Sequence, residues 1–332
     1  MNLPSISVVI PAYNCARLLD ECLATLRAQN YPQDKLEILI IDGASTDDTR
    51  DVALHHGARV LDNPEVIHPK GRPIGIRAAT GDLVLALDSD NILQGEDWLR
   101  RMVAPFQDPA VAAAEPLYYA ARPEDNVITR YCALIGGDDP VVVMLGLNER
   151  HSWLTGRWTG TPVRESDQGD WLKVVFTDSG RIPSLGANGF VVRRCLLLAA
   201  NFSPFHHVDV SHQIIRAGGA TWAKVKVGII HKHGEDIGRF IRKKKRRVER
   251  RMDDTVSMGY SYPIETPRLA LVLAKAALVL PVLFDTVRGF ARKPSSAWLV
   301  HPVVLYGVVL LYGWTTLLRK LKKPAGNSYE KV

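Results

Sequence analysis

The sequence predicts an α/β fold built on a mixed, mainly parallel sheet with helices on both faces, followed by a C-terminal helical membrane hairpin. Short β-rich runs alternate with helical stretches through the first half of the chain, as in sheets whose strands are joined by helices. The runs are apolar along almost their whole length, which indicates that both faces of the sheet are covered. Two long apolar segments near the end of the chain predict the hairpin.

The elements follow in chain order. Strands are predicted at 7–10, 37–41, 59–61 and 83–87, and helices at 16–29, 46–56 and 71–80. From 136 to 185, glycine, proline, tryptophan and aspartate are interleaved with little periodicity, which is typical of a binding loop or lid. Regular structure is expected again at 190–199, 208–217 and 225–230. The sequence therefore predicts one domain over 1–235, with 136–185 as its loop or lid.

Charge and cysteine content narrow the class of protein. A formal charge of +7 and a pI near 9.2 suggest an anionic partner. Four scattered cysteines without metal-ligand spacing, and no signal peptide before the first apolar run, predict a reduced domain on the cytosolic side.

Polar and aromatic residues follow the first two predicted strands. Pro11-Ala12-Tyr13-Asn14 ends the first strand and Asp42 ends the second. The carboxyl ends of parallel strands meet at one edge of a sheet, where such folds bind their ligands. An aromatic ring there can stack on a base, and a carboxylate can accept the imide N–H of uracil. Two turns with a helix cap would use the same residue types, but the pairing of the motifs favours a nucleotide site.

Asp88-Ser89-Asp90 directly follows the apolar strand 83–87. Two carboxylates spaced in this way beyond a strand end can hold a hard divalent cation, Mg²⁺ or Mn²⁺, and through it a diphosphate. The cation offsets the charge that develops on a leaving nucleoside diphosphate. A solvated acidic turn is the alternative for this motif taken alone.

Together these motifs resemble glycosyltransferase family 2. The resemblance rests on the strand that ends in Pro-Ala-Tyr-Asn, on the stretch Ile-Asp-Gly-Ala-Ser-Thr-Asp-Asp-Thr over 41–49, and on Ala-Thr-Gly-Asp over 79–82 leading into Asp-Ser-Asp. It covers about residues 5–235. It implies a GT-A, Rossmann-like fold, inverting transfer of a sugar from a nucleotide-sugar donor, and a divalent metal cofactor.

The resemblance also implies roles for single residues. It assigns the metal to Asp90 and Asp88, with His231 as a further ligand after the strand 225–230, although a surface histidine is the alternative there. The positions that it assigns to the donor are Pro11, Ala12, Tyr13, Asn14, Asp42, Gly71, Arg72, Asp88, Ser89, Asn188 and Gly189. Cys15 and Pro73 depart from the family pattern, so the donor pocket is expected to differ in detail.

An inverting transferase needs a base near the acceptor hydroxyl. Many family members carry a Glu-Asp pair at the start of a helix that ends in Ala-Gly, and counting back from Ala217-Gly218 places His206 and His207 there. Asp209 is the first carboxylate available, so we predict it as the base, with the His207 imidazole as the second candidate. The alternative for Asp209 is a helix N-terminal residue stabilised by the helix dipole.

The C-terminal part predicts membrane attachment. A basic juxtamembrane segment, 236–263, precedes the apolar segments 269–284 and 298–318. The second is about 31 Å long as a helix, enough for a hydrocarbon core of about 30 Å, whereas the first is only about 24 Å long and contains Lys275 and Pro281. Basic residues on both sides of the pair favour two membrane helices over 264–323 and a cytoplasmic tail at 324–332. Two helices in the membrane plane are the alternative.

Membrane lipids with anionic headgroups are the expected partner of the basic segment, and contact of Arg242 with the donor diphosphate is the second possibility. No aromatic interleaving accompanies the run, so nucleic acid is not expected. The sequence thus predicts a glycosyltransferase of the cell membrane with a cytoplasmic catalytic domain. It would move a sugar from a UDP-linked rather than a GDP-linked donor to a lipid-linked or envelope glycan acceptor. A polyprenyl-phosphate sugar synthase and a non-catalytic sugar-nucleotide-binding scaffold are the alternatives.

Overall fold

The computed structural model describes residues 3–65, 68–233, 236–252, 259–262 and 264–322. Within these residues ten strands form one sheet. The predicted tail at 324–332, the last residue of the membrane segment 264–323, and residues 253–258 and 263 of the basic segment lie outside the described residues.

The first half alternates strands and helices as predicted. Its elements are β1 (Ile6–Ala12), α1 (Ala16–Arg27), β2 (Leu36–Asp42), α2 (Thr49–His55), β3 (Arg59–Asp62), α3 (His68–Ala78), β4 (Leu83–Ala86), β5 (Asn91–Leu93), α4 (Trp98–Val103), β6 (Val111–Ala120) and α5 (Val127–Ile135). Val8 and Ile10 of β1 belong to one apolar core and Val9 to another. Because successive side chains of a strand point to opposite faces, both faces of the sheet are covered.

The second half contains more regular structure than predicted. Its elements are α6 (Pro140–Met144), β7 (Arg164–Asp167), β8 (Trp171–Val175), β9 (Phe190–Arg193), α7 (Arg194–Ala199), α8 (His207–Arg216), β10 (Thr221–His231), α9 (Ile237–Met252), α10 (Thr266–Ala277), α11 (Val279–Arg292) and α12 (His301–Lys322). The stretch 136–185 is therefore not irregular throughout, because it contains α6 and the antiparallel pair β7 and β8. β8 is ordered by its pairing with β10.

The strand order is β3-β2-β1-β4-β9-β6-β10-β8-β7, with β5 paired to β10. β1 to β4 are parallel to one another and β6 is parallel to β10, whereas β9 runs antiparallel to both of its neighbours. This confirms the predicted mixed α/β sheet. Because β9 is antiparallel, its start lies beside the end of β4, with Phe190 opposite Ala86. The residues before β9 and those after β4 therefore share one edge of the sheet.

The predicted membrane segments contain three helices, because the first of the two helices predicted over 264–323 is divided into α10 and α11. α10 and α11 are bent by 95° where they meet at Leu278, which has an extended backbone. Pro281 has no N–H to donate to the carbonyl of Ala277, so a continuous helix loses a hydrogen bond at this point. Among the described residues, one helical segment, Ser296–Leu318, is long and apolar enough to cross a membrane by itself, and α10 and α11 are so only together, as a broken span or a re-entrant loop.

Candidate functional site

The carboxyl ends of β1 and β2 are joined by hydrogen bonds between the residues that follow them. Asn14 Oδ1 accepts the backbone N–H of Thr46 at 2.8 Å, and the Ser45 hydroxyl accepts the N–H of Asn14 at 2.9 Å. Asn14 has a φ of 44°, a left-handed conformation that asparagine adopts more readily than most residues. Tyr13 beside it is half exposed. The Tyr13 ring therefore lies at the sheet edge where a planar base could stack on it.

Asp42 ends β2 opposite Ala12 of β1, and Asp42, Ala12 and Pro11 are all buried. Its Oδ2 accepts an N–H from Arg50 at 2.9 Å. The backbone N–H of Ser45 lies 3.3 Å from both carboxylate oxygens. A base that donates to Asp42 would therefore meet a carboxylate whose charge Arg50 already stabilises.

Asp88 and Asp90 lie in the turn after β4, with 30% and 18% of their side-chain surfaces exposed. Asp88 Oδ1 accepts an N–H from Arg72 at 2.5 Å, and the same guanidinium nitrogen donates to the Leu87 carbonyl at 3.1 Å. Arg72 is itself buried. It therefore orients Asp88. We call Tyr13, Asn14, Asp42, Asp88 and Asp90 the donor edge.

Two further residues predicted to bind the donor support the donor edge from behind. Ser89 hydrogen-bonds to the thiol of Cys15. Gly71 is buried, and a Cβ added to it would lie 3.0 Å from Asn63 Nδ2 and 3.4 Å from Ile41 Cγ2. The absence of a side chain at Gly71 therefore allows α3 to pack closely against β2.

β10 places His231 beside Asp90. β5 pairs with β10 so that Asn91 lies opposite His231, and His231 Nε2 is 3.5 Å from Asp90 Oδ1. Burial opposes protonation of the ring, yet the Asp90 carboxylate holds the pKa of His231 above its ordinary value. The His231 ring also lies against the ring of His233, with centroids 4.3 Å apart.

The ligand atoms that this turn offers suit a divalent cation. Mg²⁺ and Mn²⁺ prefer carboxylate oxygens and are commonly held by one or two of them together with substrate phosphates. Asp90 and Asp88 are partly exposed at the sheet edge, and His231 could add a nitrogen. In the part of the chain that the structure describes, no group of three or more His, Cys, Asp or Glu side chains forms a complete metal site.

Gly189 precedes β9 and donates its N–H to the Ala86 carbonyl at 3.0 Å, next to the Asp88-Ser89-Asp90 turn. Its φ is 83°, and a Cβ there would lie 3.0 Å from Ile229 Cδ1. Glycine is therefore required both by the backbone conformation and by the close packing.

Asn188 links the Asp88-Ser89-Asp90 turn to a second group of polar residues. Its φ is 33°, its Nδ2 donates to the Tyr119 hydroxyl at 2.9 Å, and the same nitrogen lies 3.3 Å from His231 Nδ1. Because His231 contacts Asp90, a continuous series of polar contacts runs from Asp90 through His231 and Asn188 to Tyr119.

Beyond Tyr119 lies a buried charge cluster of Glu115, Glu149, Arg150 and Lys224. Lys224 Nζ donates to Glu115 Oε2 at 2.5 Å and to the Glu149 carbonyl at 2.7 Å. Arg150 Nη1 lies 3.4 Å from Glu115 Oε2 and 3.8 Å from Glu149 Oε2. Two cations thus face two carboxylates, and such mutual pairing is what allows charges to be buried.

The charge cluster also holds the segment before β9. Arg150 Nη2 donates to the carbonyls of Ala187 and Asn188, both at 2.9 Å. Glu115 Oε1 accepts the N–H of Gly186 at 2.6 Å. Gly186 and Asn188 are both left-handed, so this backbone is held in place by side chains from other elements.

The two carboxylates of the charge cluster differ in their partners. Burial opposes ionisation of Glu115, yet Lys224 and Arg150 hold its pKa below the ordinary value. Glu149 Oε1 accepts from the Tyr119 hydroxyl at 3.3 Å, and its Oε2 has no hydrogen-bond partner among the described residues. Burial raises the pKa of Glu149 to about 7. Glu149 therefore exchanges its proton near neutral pH, whereas Glu115 stays ionised.

The two predicted base residues lie in the first turn of α8. Asp209 is buried, and its Oδ1 accepts the backbone N–H of Tyr260 at 2.8 Å. His207 Nδ1 lies 2.6 Å from the Leu185 carbonyl. Because a carbonyl can only accept, Nδ1 carries the hydrogen, and Nε2 is the nitrogen that can take up a proton in the neutral ring. Asp209 thus anchors the segment after α9.

The charge cluster and Tyr119 were missed in the sequence. The available signal was a charged residue inside an otherwise apolar strand, at Glu115 in β6 and at Lys224 in β10. Such residues are rarely buried without a partner. Their pairing could not be read, because the two residues are 109 positions apart.

The comparisons with known proteins agree with these motifs. A model described as Glycosyl transferase family 2 matches residues 7–140. An N-acetylglucosaminyltransferase of Bradyrhizobium elkanii is 32% identical over 136 residues, which make up 39% of this chain and 74% of that protein. The chain belongs to glycosyltransferase family 2. The predicted family and enzyme class, a glycosyltransferase, are thereby confirmed.

Other relatives are matched over a smaller share of their length. The glycosyltransferase AglE of Haloferax volcanii is 33% identical over 117 residues, 33% of this chain and 38% of that protein. An N-acetylglucosaminyltransferase of Mesorhizobium japonicum is 35% identical over 135 residues, 38% of this chain and 31% of that protein. The match thus spans about a third of these two relatives. Among solved structures, a mannosyltransferase from Pyrobaculum calidifontis in complex with GDP-Man and Mn²⁺ has a TM-score of 0.48 at 20% identity, covering 97% of this chain and 86% of that one.

Proposed function

We propose that this family 2 member is an inverting transferase that moves a sugar from a nucleotide-sugar donor, UDP-linked rather than GDP-linked, to an acceptor at the cytoplasmic face of the cell membrane. The observation that carries the proposal is the Asp88-Ser89-Asp90 turn, which shares one sheet edge with Asp42 and Tyr13. A uracil base suits this edge because its imide N–H can donate to a carboxylate.

Each residue of the donor edge would bind a different part of the donor. Tyr13 would stack on the base and Asp42 would accept its N–H. Asp88 and Asp90, with His231, would hold a divalent cation, whose positive charge stabilises the leaving diphosphate. Arg72 and Asn188 would keep Asp88 and His231 in position through the hydrogen bonds that they make in the structure.

In the reaction, the acceptor oxygen would form a bond to the anomeric carbon as the bond from that carbon to the diphosphate oxygen breaks on the opposite face. The electron pair of the broken bond leaves with the nucleoside diphosphate. The proton of an acceptor hydroxyl would pass to a base at the start of α8. His207 suits this step through Nε2, whereas Asp209, our prediction from the sequence, would have to act through the oxygen that does not bind Tyr260.

One observation favours a second candidate, a polyprenyl-phosphate sugar synthase. Asp209, the carboxylate that we predict as the base, already accepts the Tyr260 N–H. An acceptor that is itself an ionised phosphate needs no strong base. A synthase of this kind and a transferase that acts on a hydroxyl of a lipid-linked or envelope glycan acceptor would share the same donor chemistry.

A screen of nucleotide sugars by thermal unfolding with and without Mn²⁺ would test the proposal. A bound donor stabilises the folded state by mass action, by about 2.7 kcal/mol at a concentration of 100 times its Kd. We expect UDP-linked sugars with Mn²⁺ to raise the Tm, and chelation to remove the shift. If no nucleotide sugar shifted the Tm of a folded protein, the donor assignment would be wrong.

A further inference from the structure

The C-terminal helices present large apolar side chains to solvent. Among the described residues before 263, the exposed large apolar side chains are Tyr13, Leu54 and Leu198. Those after 263 are far more numerous, and Leu280, Leu299 and Leu310 are 78%, 76% and 71% exposed. α10, α11 and α12 all contact one another, so most of these side chains lie on one group of packed helices. An apolar surface of this extent marks an interaction site.

The opposite side of α12 is bound to the catalytic domain. Tyr131 of α5 and His301 of α12 share a buried hydrogen bond of 2.8 Å, and Tyr312 donates to Asp139 at the start of α6. The helix between His301 and Tyr312, about 16 Å long, therefore lies along the domain. To cross a bilayer, α12 would have to leave the domain and uncover these buried polar groups, which is costly.

Neither α10 nor α11 is long enough to cross a bilayer alone, and the bend between them prevents them from crossing as one straight helix. At 1.5 Å per residue they measure about 18 Å and about 21 Å, against a hydrocarbon core of about 30 Å. The bend between them is 95°. Arg292 at the end of α11 donates to the carbonyls of Trp153 and Leu154 at 3.1 Å and 2.8 Å. The end of α11 is thereby fixed to the domain as well.

α9 adds positive charge beside α12. Ile241 of α9 meets α12 at Gly307, where an added Cβ would lie 3.1 Å from Ile241 Cδ1. Lys244 and Arg247 bind Asp138. Among the α9 side chains that the structure describes, the exposed cations are Arg239, Arg242, Lys243, Lys245, Arg246 and Arg247. Of these, Arg239 pairs with Asp236 and Lys245 with Glu249. Basic groups next to an apolar surface complement a membrane that contains anionic lipids.

We infer that α10, α11 and α12 dock in the plane of an anionic membrane while α9 contacts its headgroups, so that the C-terminal helices stay on the same side as the catalytic domain. This inference deepens the membrane attachment included in the proposed function. It replaces the transmembrane hairpin with a one-sided attachment. The apolar surface enters the headgroup and upper acyl region, and the polar contacts with the domain are kept.

Labelling of the full chain with a membrane-impermeant maleimide tests the topology. Cys195 is exposed on the catalytic domain and reports which orientation of membrane vesicle presents that domain. Ser296→Cys, introduced with Cys195→Ser, places a thiol in the exposed link between α11 and α12. We expect it to react in the same vesicle orientation as Cys195, with the Cys195→Ser chain as the background control. Reaction only in the opposite orientation would show a hairpin and overturn the inference.

Flotation with vesicles tests the surface itself. The full chain should float with vesicles of phosphatidylcholine and phosphatidylglycerol and at least tenfold less with phosphatidylcholine alone. The pair Leu280→Glu and Leu310→Glu should reduce flotation at least tenfold, whereas Leu54→Glu, at a 60% exposed leucine of the catalytic domain, should not. Equal flotation of all variants would overturn the inference. Neither assay requires donor or transfer, so failure of the proposed activity would be seen separately.

Discussion

The donor edge and the charge cluster lie side by side but differ in how their charges are satisfied. Asp88 and Asp90 keep part of their surface exposed at the end of β4. Glu115 and Lys224 are fully buried and bind each other. The difference indicates a division of roles: the donor edge retains capacity for a ligand, and the charge cluster holds the backbone that completes the site.

The two candidate bases on α8 provide the first test of this division of roles. A catalytic base acts on a bound ligand, whereas the charge cluster holds the backbone. His207→Ala should lower turnover by about 10² to 10⁴ with donor affinity unchanged, if the imidazole takes the acceptor proton. Asp209→Asn is the matched variant, and it tests the carboxylate predicted from the sequence. Turnover and donor Kd should be measured for both. Normal transfer by both variants would point to an ionised phosphate acceptor.

Removal of a cation from the charge cluster should mainly affect stability. Lys224→Met leaves the Glu115 carboxylate buried without its principal partner and should lower the free energy of unfolding by about 3–5 kcal/mol. Lys226→Met, two residues along the same strand, breaks an exposed pair with Asp167 and should cost less than about 1 kcal/mol. Denaturant unfolding compares the two variants. A similar loss in both would contradict the scaffold role.

The pH dependence of stability should report on Glu149. Its pKa is raised by burial to about 7 in the folded protein, above the value of about 4.3 expected when unfolded. The folded state thus binds the extra proton, so the stability contributed by the protonated group is complete below pH 4 and is lost as the pH rises through 7. The loss amounts to at most about 4 kcal/mol. Glu149→Gln should remove this slope in urea unfolding between pH 5 and 8, and an unchanged slope would show that Glu149 is ionised throughout.

The smallest expected effect concerns binding of the donor's nucleobase. Asp42→Asn should weaken donor binding by about 1.5–3 kcal/mol through loss of a hydrogen bond to a charged group. Asp62→Asn is a suitable control because Arg50 binds both carboxylates and Asp62 is exposed. Calorimetry with donor and Mn²⁺ measures both affinities. Equal affinity of Asp42→Asn and wild type would place the base elsewhere.

The donor edge was predictable because its parts are local. Asp42 and the Asp88-Ser89-Asp90 turn each follow an apolar strand directly, and parallel pairing brings strand ends together. The charge cluster depends on the antiparallel insertion of β9 and on contacts between distant residues, for which a single sequence has no periodic signal. The bend at Leu278 had a local signal in Pro281, but the packing of α12 against α5 had none.

Transfer by Asp90→Ala tests the central claim, that the turn after β4 holds the metal that a donor diphosphate requires. Release of nucleoside diphosphate from a UDP-linked sugar should be measured with Mn²⁺ titrated over a wide range. We predict that Asp90→Ala unfolds at the wild-type Tm without ligand but shows no transfer and no Mn²⁺-dependent donor binding. The control variant Asp170→Asn, at an exposed carboxylate paired with Arg101, should behave as wild type. Full transfer by Asp90→Ala in the presence of a chelator would contradict the account.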